Sequence, residues 1–219
     1  DEAPAKRDLI VAYHPYTEEP EGDDVAARDF LGRVKFINNA LRMHSIKQIW
    51  ATEWGWSSYS GPKEMQAIIG TDGQADFTLR RLALMSGLDF DRSFLFNLAD
   101  LPAMAGPRDQ KYGLLDIDGK PKPVYHAMKN FFAVTGPRLE PRDPPEVEDM
   151  PKDLYSIAWT RADGKQLWMF WSASGRQLTL PGVDRASLHN PLTGEQRELE
   201  GEGNRLTVPL KSSLQLLVW

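Results

Sequence analysis

Residues 1–134 alternate between short apolar segments and helical patterns, and this alternation restricts the fold more than any other feature of the sequence. The apolar segments lie at residues 9–16, 46–52 and 93–98, and their length is typical of buried strands. A helical pattern follows each segment, which gives the order βαβαβα. This order predicts parallel strands joined by right-handed crossovers. We therefore expect part of an open doubly wound α/β sheet or part of a βα-barrel, because three units close neither fold.

The helical patterns are recognised by apolar residues at three- and four-residue spacing. The first covers residues 25–41, and Asp23 or Asp24 is in position to cap its start. The second covers residues 74–85, and the third covers residues 121–132. The apolar face predicted for the third helix consists of Val124, Met128, Phe131 and Phe132.

The composition changes after residue 134. Residues 135–153 are rich in proline and charge, which predicts a linker between two domains. Residues 154–219 then contain short alternating runs, such as QLWMFW and RLTVPL, separated by turn sequences such as NPLTGE. This pattern predicts a small antiparallel β-domain. Its tryptophans alternate within strands, so we expect them to pack in the core and assign no site to Trp159, Trp168 and Trp171.

Charge and residue types exclude several classes of function. The chain has 26 Lys and Arg against 31 Asp and Glu, a net charge of −5, which disfavours a nucleic-acid partner because such partners need a basic stripe. It has no cysteine, and no histidine has a second histidine or a dense carboxylate cluster at ligand spacing. Neither a G-x-S-x-G elbow nor a glycine-rich phosphate loop follows a strand. We therefore expect no metal and no cofactor.

Glu53 is the most informative single residue, because it lies between Trp50 and Trp54 where the second predicted strand ends. Ligands bind at the carboxyl ends of the strands in both kinds of parallel fold. A strand-end carboxylate among aromatic rings is a candidate nucleophile or acid, since the rings exclude water. The alternative is a glutamate in a surface loop or a salt bridge, with tryptophans that pack. Position in the sequence leaves both interpretations open.

Polar side chains also follow the first and third predicted strands. His14 and Tyr16 close the first strand, and Asn97 and Asp100 close the third. Because the carboxyl ends of parallel strands meet at one edge of a sheet, we expect these residues to converge with Glu53. A histidine orients a neighbouring carboxylate, and a tyrosine hydroxyl donates a hydrogen bond to it. A purely structural role for His14 is the alternative.

Three stretches, ATEWGWSS, FLFNLAD and KYGLLDIDGKPKPVYHAMK, resemble the last third of a clan A glycoside hydrolase barrel. The likeness is to family 39-type enzymes, in particular the endo-glycosidases encoded with bacterial biofilm exopolysaccharides. It implies an α/β fold with strands six to eight of a TIM (β/α)8 barrel, followed by an antiparallel β-sandwich domain. It also implies that Glu53 is the nucleophile of a retaining endo-glycosidase. The expected substrate-binding residues are His14, Tyr16, Trp54, Trp56 and Asn97.

The resemblance also shows what the chain lacks. These enzymes carry an acid/base glutamate in an Asn-Glu pair after the fourth strand, and no such pair occurs here. Retaining hydrolysis needs two carboxyl groups about 5 Å apart. We therefore expect the N-terminal portion of the same enzyme to supply the second group and to complete the barrel, with this chain, which starts at Asp1, as the carboxyl-terminal piece. Leu95 or Phe96 stands where relatives often carry a tryptophan.

The expected substrate is a bacterial exopolysaccharide, and the expected location is periplasmic or extracellular, including membrane association through an upstream segment. Two other functions fit the same residues. The first is a noncatalytic carbohydrate-binding or scaffold fragment, in which the aromatic residues hold glycan and no bond is cut. The second is a different hydrolase that uses Asp100 or Glu18 as its acid, which requires these loop residues to fold over Glu53.

Overall fold

The computed structural model describes residues 9–22, 29–62 and 67–219, and the chain divides into two compact units. The first unit ends at Tyr125, and the second runs from His126 to Trp219. The predicted cap residues Asp23 and Asp24 lie outside the described residues. Within the described ranges, no helix has the length and apolar character needed to cross a membrane.

The first unit contains a three-stranded sheet with the strand order β1-β2-β3. Strand β1 is Ile10–Tyr13, strand β2 is Gln48–Trp54 and strand β3 is Arg92–Leu95. The central strand β2 pairs in parallel with both neighbours. The parallel pairing follows the prediction, because a helix connects each strand to the next and returns the chain to the same end of the sheet.

Helix α1 is Phe30–Met43, helix α2 is Gly70–Ser86 and helix α3 is Pro123–Thr135. Helix α1 is shorter than predicted, with 14 residues, because its N-cap is Asp29, whose carboxylate accepts a hydrogen bond of 3.0 Å from the Gly32 N–H.

Only part of the apolar face predicted for α3 is buried. Val124 and Phe131 are buried together with Ala127, whereas Phe132 is 49% exposed. The prediction for Phe132 was wrong, because neighbouring residues on a helix point about 100° apart and cannot both face the same core.

One side of the three-stranded sheet packs against helices, and the other side is open. Tyr13 marks the helix-facing side, because its hydroxyl donates a 2.8 Å hydrogen bond to Asn38 of α1. The opposite side, called here the open side, carries Ile10, Trp50 and Phe94. Ile10 is 48% exposed and Phe94 is 47% exposed, while the rings of Trp50 and Phe94 lie 5.9 Å apart. Among the described residues, the open side therefore exposes large apolar side chains.

The second unit is built from antiparallel strands that form a six-stranded sheet, in the order β4-β5-β6-β11-β8-β9, and a two-stranded sheet of β7 and β10. The strands are β4 (Leu139–Arg142), β5 (Tyr155–Arg161), β6 (Gln166–Trp171), β7 (Gln177–Pro181), β8 (Arg185–Asn190), β9 (Glu195–Glu200), β10 (Arg205–Pro209) and β11 (Gln215–Val218). Both sheets contribute to one core, in which Trp168 and Phe170 stack at 4.0 Å. The core role predicted for the tryptophans of this unit is confirmed by the burial of Trp159, Trp168 and Trp171.

The linker predicted at residues 135–153 is wrong for its central part. Strand β4 lies within it and pairs with β5, from Leu139 opposite Arg161 to Arg142 opposite Ala158. Proline and charge are tolerated there because β4 is an edge strand, and an edge strand has one row of backbone groups without a partner strand. The division between the units also falls earlier than residue 134, after Tyr125.

Candidate active site

Glu53 lies on the open side of the sheet because strand β2 contains an irregularity just before its end. Ile49 and Ala51 are fully buried on the helix-facing side, and regular alternation would place Glu53 with them. The pairing of β2 with β3 shifts register between Ala51 and Trp54, as at a β-bulge. The inserted residue exchanges the two faces. The carboxylate of Glu53 therefore reaches the open side, where it is 38% exposed.

Two side chains from the end of β1 approach one oxygen of this carboxylate. The Tyr16 hydroxyl donates to Oε2 of Glu53 at 3.4 Å, and Nδ1 of His14 lies 3.5 Å from the same oxygen. These distances are long for hydrogen bonds, as is common at catalytic sites without substrate. The structure thus brings together three of the residues that the sequence placed in the site.

Burial raises the pKa of the Tyr16 phenol well above its usual value of 10, and the negative charge of Glu53 raises it further. The phenol therefore keeps its proton at neutral pH and acts as a hydrogen-bond donor. Among the described residues, the hydrogen bond and ion pair of Glu53 involve Oε2. One oxygen is thus contacted by protein groups, and the other has no hydrogen bond or ion pair there, on a side chain that is 38% exposed.

Tyr112 supports this arrangement and was not singled out from the sequence. Its buried ring packs edge-on against Tyr16, with a centroid distance of 6.3 Å, and against Phe96 at 5.4 Å. The only sequence signal was its place in the stretch KYGLLD, in the loop that follows β3. A tyrosine in a loop is usually exposed, so its burial depended on contacts between distant segments.

The rings of Trp54 and Trp56 do not face a cleft, which corrects the sequence-based expectation. Each residue is 2% exposed. The indole N–H of Trp54 donates to the hydroxyl of Ser93 at 2.8 Å, and that of Trp56 donates to the carbonyl of Glu18 at 2.9 Å. The register shift accounts for Trp54, because it turns this side chain to the helix-facing side as it turns Glu53 away. Both indoles are core residues.

In the part of the chain that the structure describes, no hydrogen bond joins the side chain of Asn97 or Asp100 to Glu53, Tyr16 or His14. The side-chain oxygen of Asn97 is buried and has no hydrogen-bond partner there. Asp100 is buried, and its carboxylate accepts hydrogen bonds of 2.9 Å from the Lys122 ammonium and from the Gly113 N–H. Asp100 therefore anchors the loop after β3, and its ion pair disfavours the alternative in which it acts as a proton donor.

Histidine and carboxylate side chains do not cluster in threes at metal-binding distances within the described ranges. Within those ranges, the ion pair of Glu53 is the one with His14. The chemistry of the site is therefore that of an oriented carboxylate beside a phenol and an imidazole, on the apolar open side of a parallel sheet.

Parallel strands with a carboxylate at the carboxyl end place the first unit in the class of βα-folds that bind ligands at this edge. Solved structures with a similar fold include several glycoside hydrolases. A family 39 glycoside hydrolase from the gut symbiont Bacteroides cellulosilyticus WH2 matches 95% of this chain and 44% of its own, with 21% identity and a TM-score of 0.68.

Two further matches belong to other glycoside hydrolase families. A family 30 endoxylanase from Clostridium papyrosolvens C71 has 11% identity and a TM-score of 0.52 over 83% of this chain and 44% of its own. A family 51 arabinofuranosidase from Xanthomonas axonopodis pv. citri has 13% identity and a TM-score of 0.51 over 94% of this chain and 52% of its own. No protein-family model and no curated protein matches the chain.

The chain spans about half, or less than half, of each of these solved structures. The predicted resemblance to clan A glycoside hydrolases, with a family 39 enzyme among the matches, is confirmed at the level of fold. The matched proteins are TIM-barrel glycoside hydrolases.

Proposed function

We propose that this chain carries the nucleophile of a retaining glycoside hydrolase, and that Glu53 is this nucleophile. The observation that carries the proposal is the unequal environment of the two Glu53 oxygens. Tyr16 and His14 approach Oε2, while Oε1 has no hydrogen bond or ion pair among the described residues, on a side chain that is 38% exposed. The fold shared with glycoside hydrolases supports the same reaction class.

In the proposed reaction, a lone pair of Glu53 Oε1 forms a bond to the anomeric carbon as the bond to the leaving oxygen breaks. The leaving oxygen takes a proton from a second carboxyl group. Water then attacks the glycosyl-enzyme, gives its proton to that second group and releases Glu53. The hydroxyl of Tyr16 keeps Oε2 oriented during both steps, because its raised pKa holds the phenol in the donor form.

The second carboxyl group is proposed to come from an upstream segment of the same enzyme, which also completes the barrel with this chain as strands six to eight. Two features support this. The open side exposes Ile10 and Phe94, which are apolar residues that a complete barrel would bury. Strands β1 and β3 each pair only with β2 in the described sheet, so both edges are available to further strands. A β-sandwich role for the second unit agrees with its two antiparallel sheets.

The proposed substrate is a bacterial exopolysaccharide cleaved internally, and the proposed location is periplasmic or extracellular. This part of the proposal rests on the likeness of the three sequence stretches to endo-glycosidases encoded with biofilm polysaccharides. The second candidate is a noncatalytic carbohydrate-binding fragment. It is favoured by the engagement of Asp100 with Lys122, which removes one carboxylate of this chain from the choice of acid.

The test is to trap the glycosyl-enzyme with a panel of 2,4-dinitrophenyl 2-deoxy-2-fluoroglycosides and to locate the label by peptide mass spectrometry. Dinitrophenolate leaves without protonation, so labelling needs the nucleophile but not the acid. We expect the label on the peptide that contains Glu53, with this chain in the presence of its upstream segment. Glu53→Gln should abolish labelling, because an amide keeps the shape but is a poor nucleophile.

Glu18→Gln is the matched control, because Glu18 is the other glutamate considered for the reaction and its carbonyl, not its side chain, bonds Trp56. This variant should be labelled like the parent. Labelling of Glu53→Gln at the parental rate would contradict the nucleophile assignment. Binding of the sugars with no label on any residue would instead support the noncatalytic fragment.

A further inference from the structure

Helix α2 carries three buried polar residues along one face, at spacings of four and three. Gln74 and Thr78 are each 1% exposed, and Arg81 is 0% exposed. A buried guanidinium is rare, because the charge must be compensated by several hydrogen bonds. The partners of Arg81 therefore indicate why it is there.

The guanidinium of Arg81 binds the loop that follows β1. It donates to the carbonyl of Pro15 at 2.7 Å, to the carbonyl of Pro20 at 2.9 Å and to the carbonyl of Glu19 at 3.3 Å. It also donates to the hydroxyl of Thr17. One side chain thus fixes four residues of a single loop across a separation of more than sixty residues in the sequence.

Aromatic rings hold the guanidinium itself in place. Its central carbon lies 3.5 Å from the ring centroid of Phe30 and 4.9 Å from that of Trp56. Cation–π contacts of this kind are strongest when they are desolvated, as here. The burial of Trp56 is explained by the same arrangement, since its ring forms part of the Arg81 environment.

The loop held by Arg81 is the one that carries the two groups that approach Glu53. Pro15, whose carbonyl accepts the 2.7 Å hydrogen bond, stands directly between His14 and Tyr16. The backbone N–H of Tyr16 also donates to the carbonyl of His14 at 2.9 Å, which makes this stretch a tight turn. Displacement of the Pro15 carbonyl therefore moves both groups together.

Gln74 acts on the other side of Tyr16. Its side-chain amide donates to the carbonyl of Trp56 at 2.9 Å and to the carbonyl of Tyr112 at 3.2 Å. The Tyr112 ring packs against Tyr16. Two buried residues of α2, Gln74 and Arg81, lie about two turns apart and hold the segments on both sides of the Tyr16 ring.

We propose that Arg81 is a positioning residue of the active site, which sets Tyr16 and His14 against Glu53 by holding residues 15–20 after β1. The role rests on the proposed function of Glu53. The hydrogen bonds of Arg81 described above go to residues 15–20 and not to Glu53, so its effect passes through Tyr16 and His14. A purely structural arginine would stabilise the fold without setting the distance between Tyr16 and Glu53.

The environment of Tyr16 distinguishes these two roles without any substrate. The pKa of the Tyr16 phenol is measured from the absorbance of phenolate as the pH rises. For each protein, the absorbance of the same protein carrying Tyr16→Phe is subtracted, so that only Tyr16 contributes. In the parent, the pKa of the Tyr16 phenol should lie well above the usual tyrosine value of about 10, because of burial and the charge of Glu53. In Arg81→Met, the loop is released, and the Tyr16 pKa should fall towards about 10 because the phenol becomes hydrated and leaves the Glu53 carboxylate.

Arg42 supplies the matched control, because it is another helical arginine of the first unit with several loop contacts. It binds Asp89 at 2.7 Å and the carbonyl of Lys47 at 2.6 Å. These contacts lie near the start of β2, roughly 16 Å of strand away from Glu53. Arg42→Met should lower the melting temperature and leave the Tyr16 pKa unchanged.

Thr17→Val is the second variant, in case Arg81→Met does not fold. Thr17 is 5% exposed, and valine keeps its shape while removing the contact to Arg81. We expect a smaller fall of the Tyr16 pKa in the same direction. The proposal is overturned if neither the folded Arg81→Met nor Thr17→Val shifts the Tyr16 pKa, so that Arg81→Met behaves like Arg42→Met.

The rate of inactivation by the fluoroglycoside that labels the parent best then tests whether the position of Tyr16 and His14 affects the reaction of Glu53. Loss of the contacts of Tyr16 and His14 with Glu53 Oε2 should slow the inactivation step by about 10- to 100-fold in Arg81→Met, with a smaller change in the inhibition constant. If the parent is not labelled, the nucleophile assignment is rejected, and the Tyr16 titration alone tests the positioning role. If the parent is labelled but the Tyr16 pKa does not shift in the variants, only the positioning role is rejected.

Discussion

Replacing Trp54 or Trp56 by alanine should destabilise the first unit far more than it affects sugar binding. Both residues are 2% exposed, so truncation removes nearly the whole indole from a packed core. Truncation of a buried aromatic residue typically costs about 3–5 kcal/mol. The loss of the indole N–H also leaves the Ser93 hydroxyl, in Trp54→Ala, without the 2.8 Å hydrogen bond that it accepts. We therefore expect each alanine variant to fall in the upper part of this range.

The free energy of unfolding is to be measured by urea titration of each variant, followed by circular dichroism. Phe36→Ala is the control, because it truncates an aromatic residue of the same unit that is 76% exposed. A surface change of this kind usually alters stability by about 0.5 kcal/mol or less. For a chain of this size, each kcal/mol shifts the melting temperature by about 2–4 °C. The tryptophan variants should therefore melt roughly 6–20 °C below the parent.

A conservative variant separates packing from hydrogen bonding. Trp54→Phe keeps an aromatic ring and loses the bond to Ser93, so its cost should be about 1–2 kcal/mol, clearly below that of Trp54→Ala. If both alanine variants instead unfold like Phe36→Ala and bind glycan more weakly than the parent, the indoles form a sugar platform and the assignment of these residues to the core is wrong.

Two further predictions concern loops of the first unit. Hydrogen bonding by the Ile49 N–H and the charge of Arg42 lower the pKa of Asp91 below 3.8, so the ionised carboxylate stabilises the fold above that pH. In urea titrations at several pH values, Asp91→Asn should therefore be less stable than the parent at neutral pH, and the difference should shrink as the pH falls below 3.8; a constant difference would contradict the linkage. Gly113→Ala should destabilise the fold by about 1–3 kcal/mol, because its Cβ would lie 2.2 Å from the Asp100 backbone nitrogen. Gly106→Ala should be close to neutral in the same thermal melts, since the nearest atom is 3.6 Å away, and equal effects of the two changes would contradict the steric argument.

Apolar periodicity predicted the order of elements in the first unit because burial on one side of each helix and on the strands is a local property of the sequence. The predicted start of α1 lay before Phe30 because several aspartates precede the helix as candidate caps, and the structure shows a capping bond at Asp29. Strand β4 was missed because proline and charge are typical of linkers as well as of edge strands. Its pairing depends on β5, which lies outside any local window.

The site was also predicted only in part, because some of its residues depend on contacts between segments that are distant in the sequence. Strand-end position identified Glu53, His14 and Tyr16, because parallel strands bring their carboxyl ends to one edge. Arg81 and Tyr112 act through contacts with segments far away in the sequence, and a buried arginine on a helix looks like a surface arginine until its partners are known. The error on Trp54 has a different origin, since alternation was assumed to continue through a position where the register shifts.

The backbone around Glu53 explains how one of its oxygens stays without a protein hydrogen bond in the described structure. On one side, the register shift before Trp54 sets the face of the strand on which the carboxylate emerges. On the other side, the carbonyl of Trp54 accepts a 2.9 Å hydrogen bond from the Phe96 N–H, and Gly55 follows with φ +156. A Cβ at Gly55 would lie 2.5 Å from the Phe96 carbonyl, so only glycine permits this close approach of β2 and the end of β3. Because the main chain is fixed on both sides, the Glu53 side chain keeps its direction although its hydrogen bond and ion pair within the described residues involve Oε2 alone.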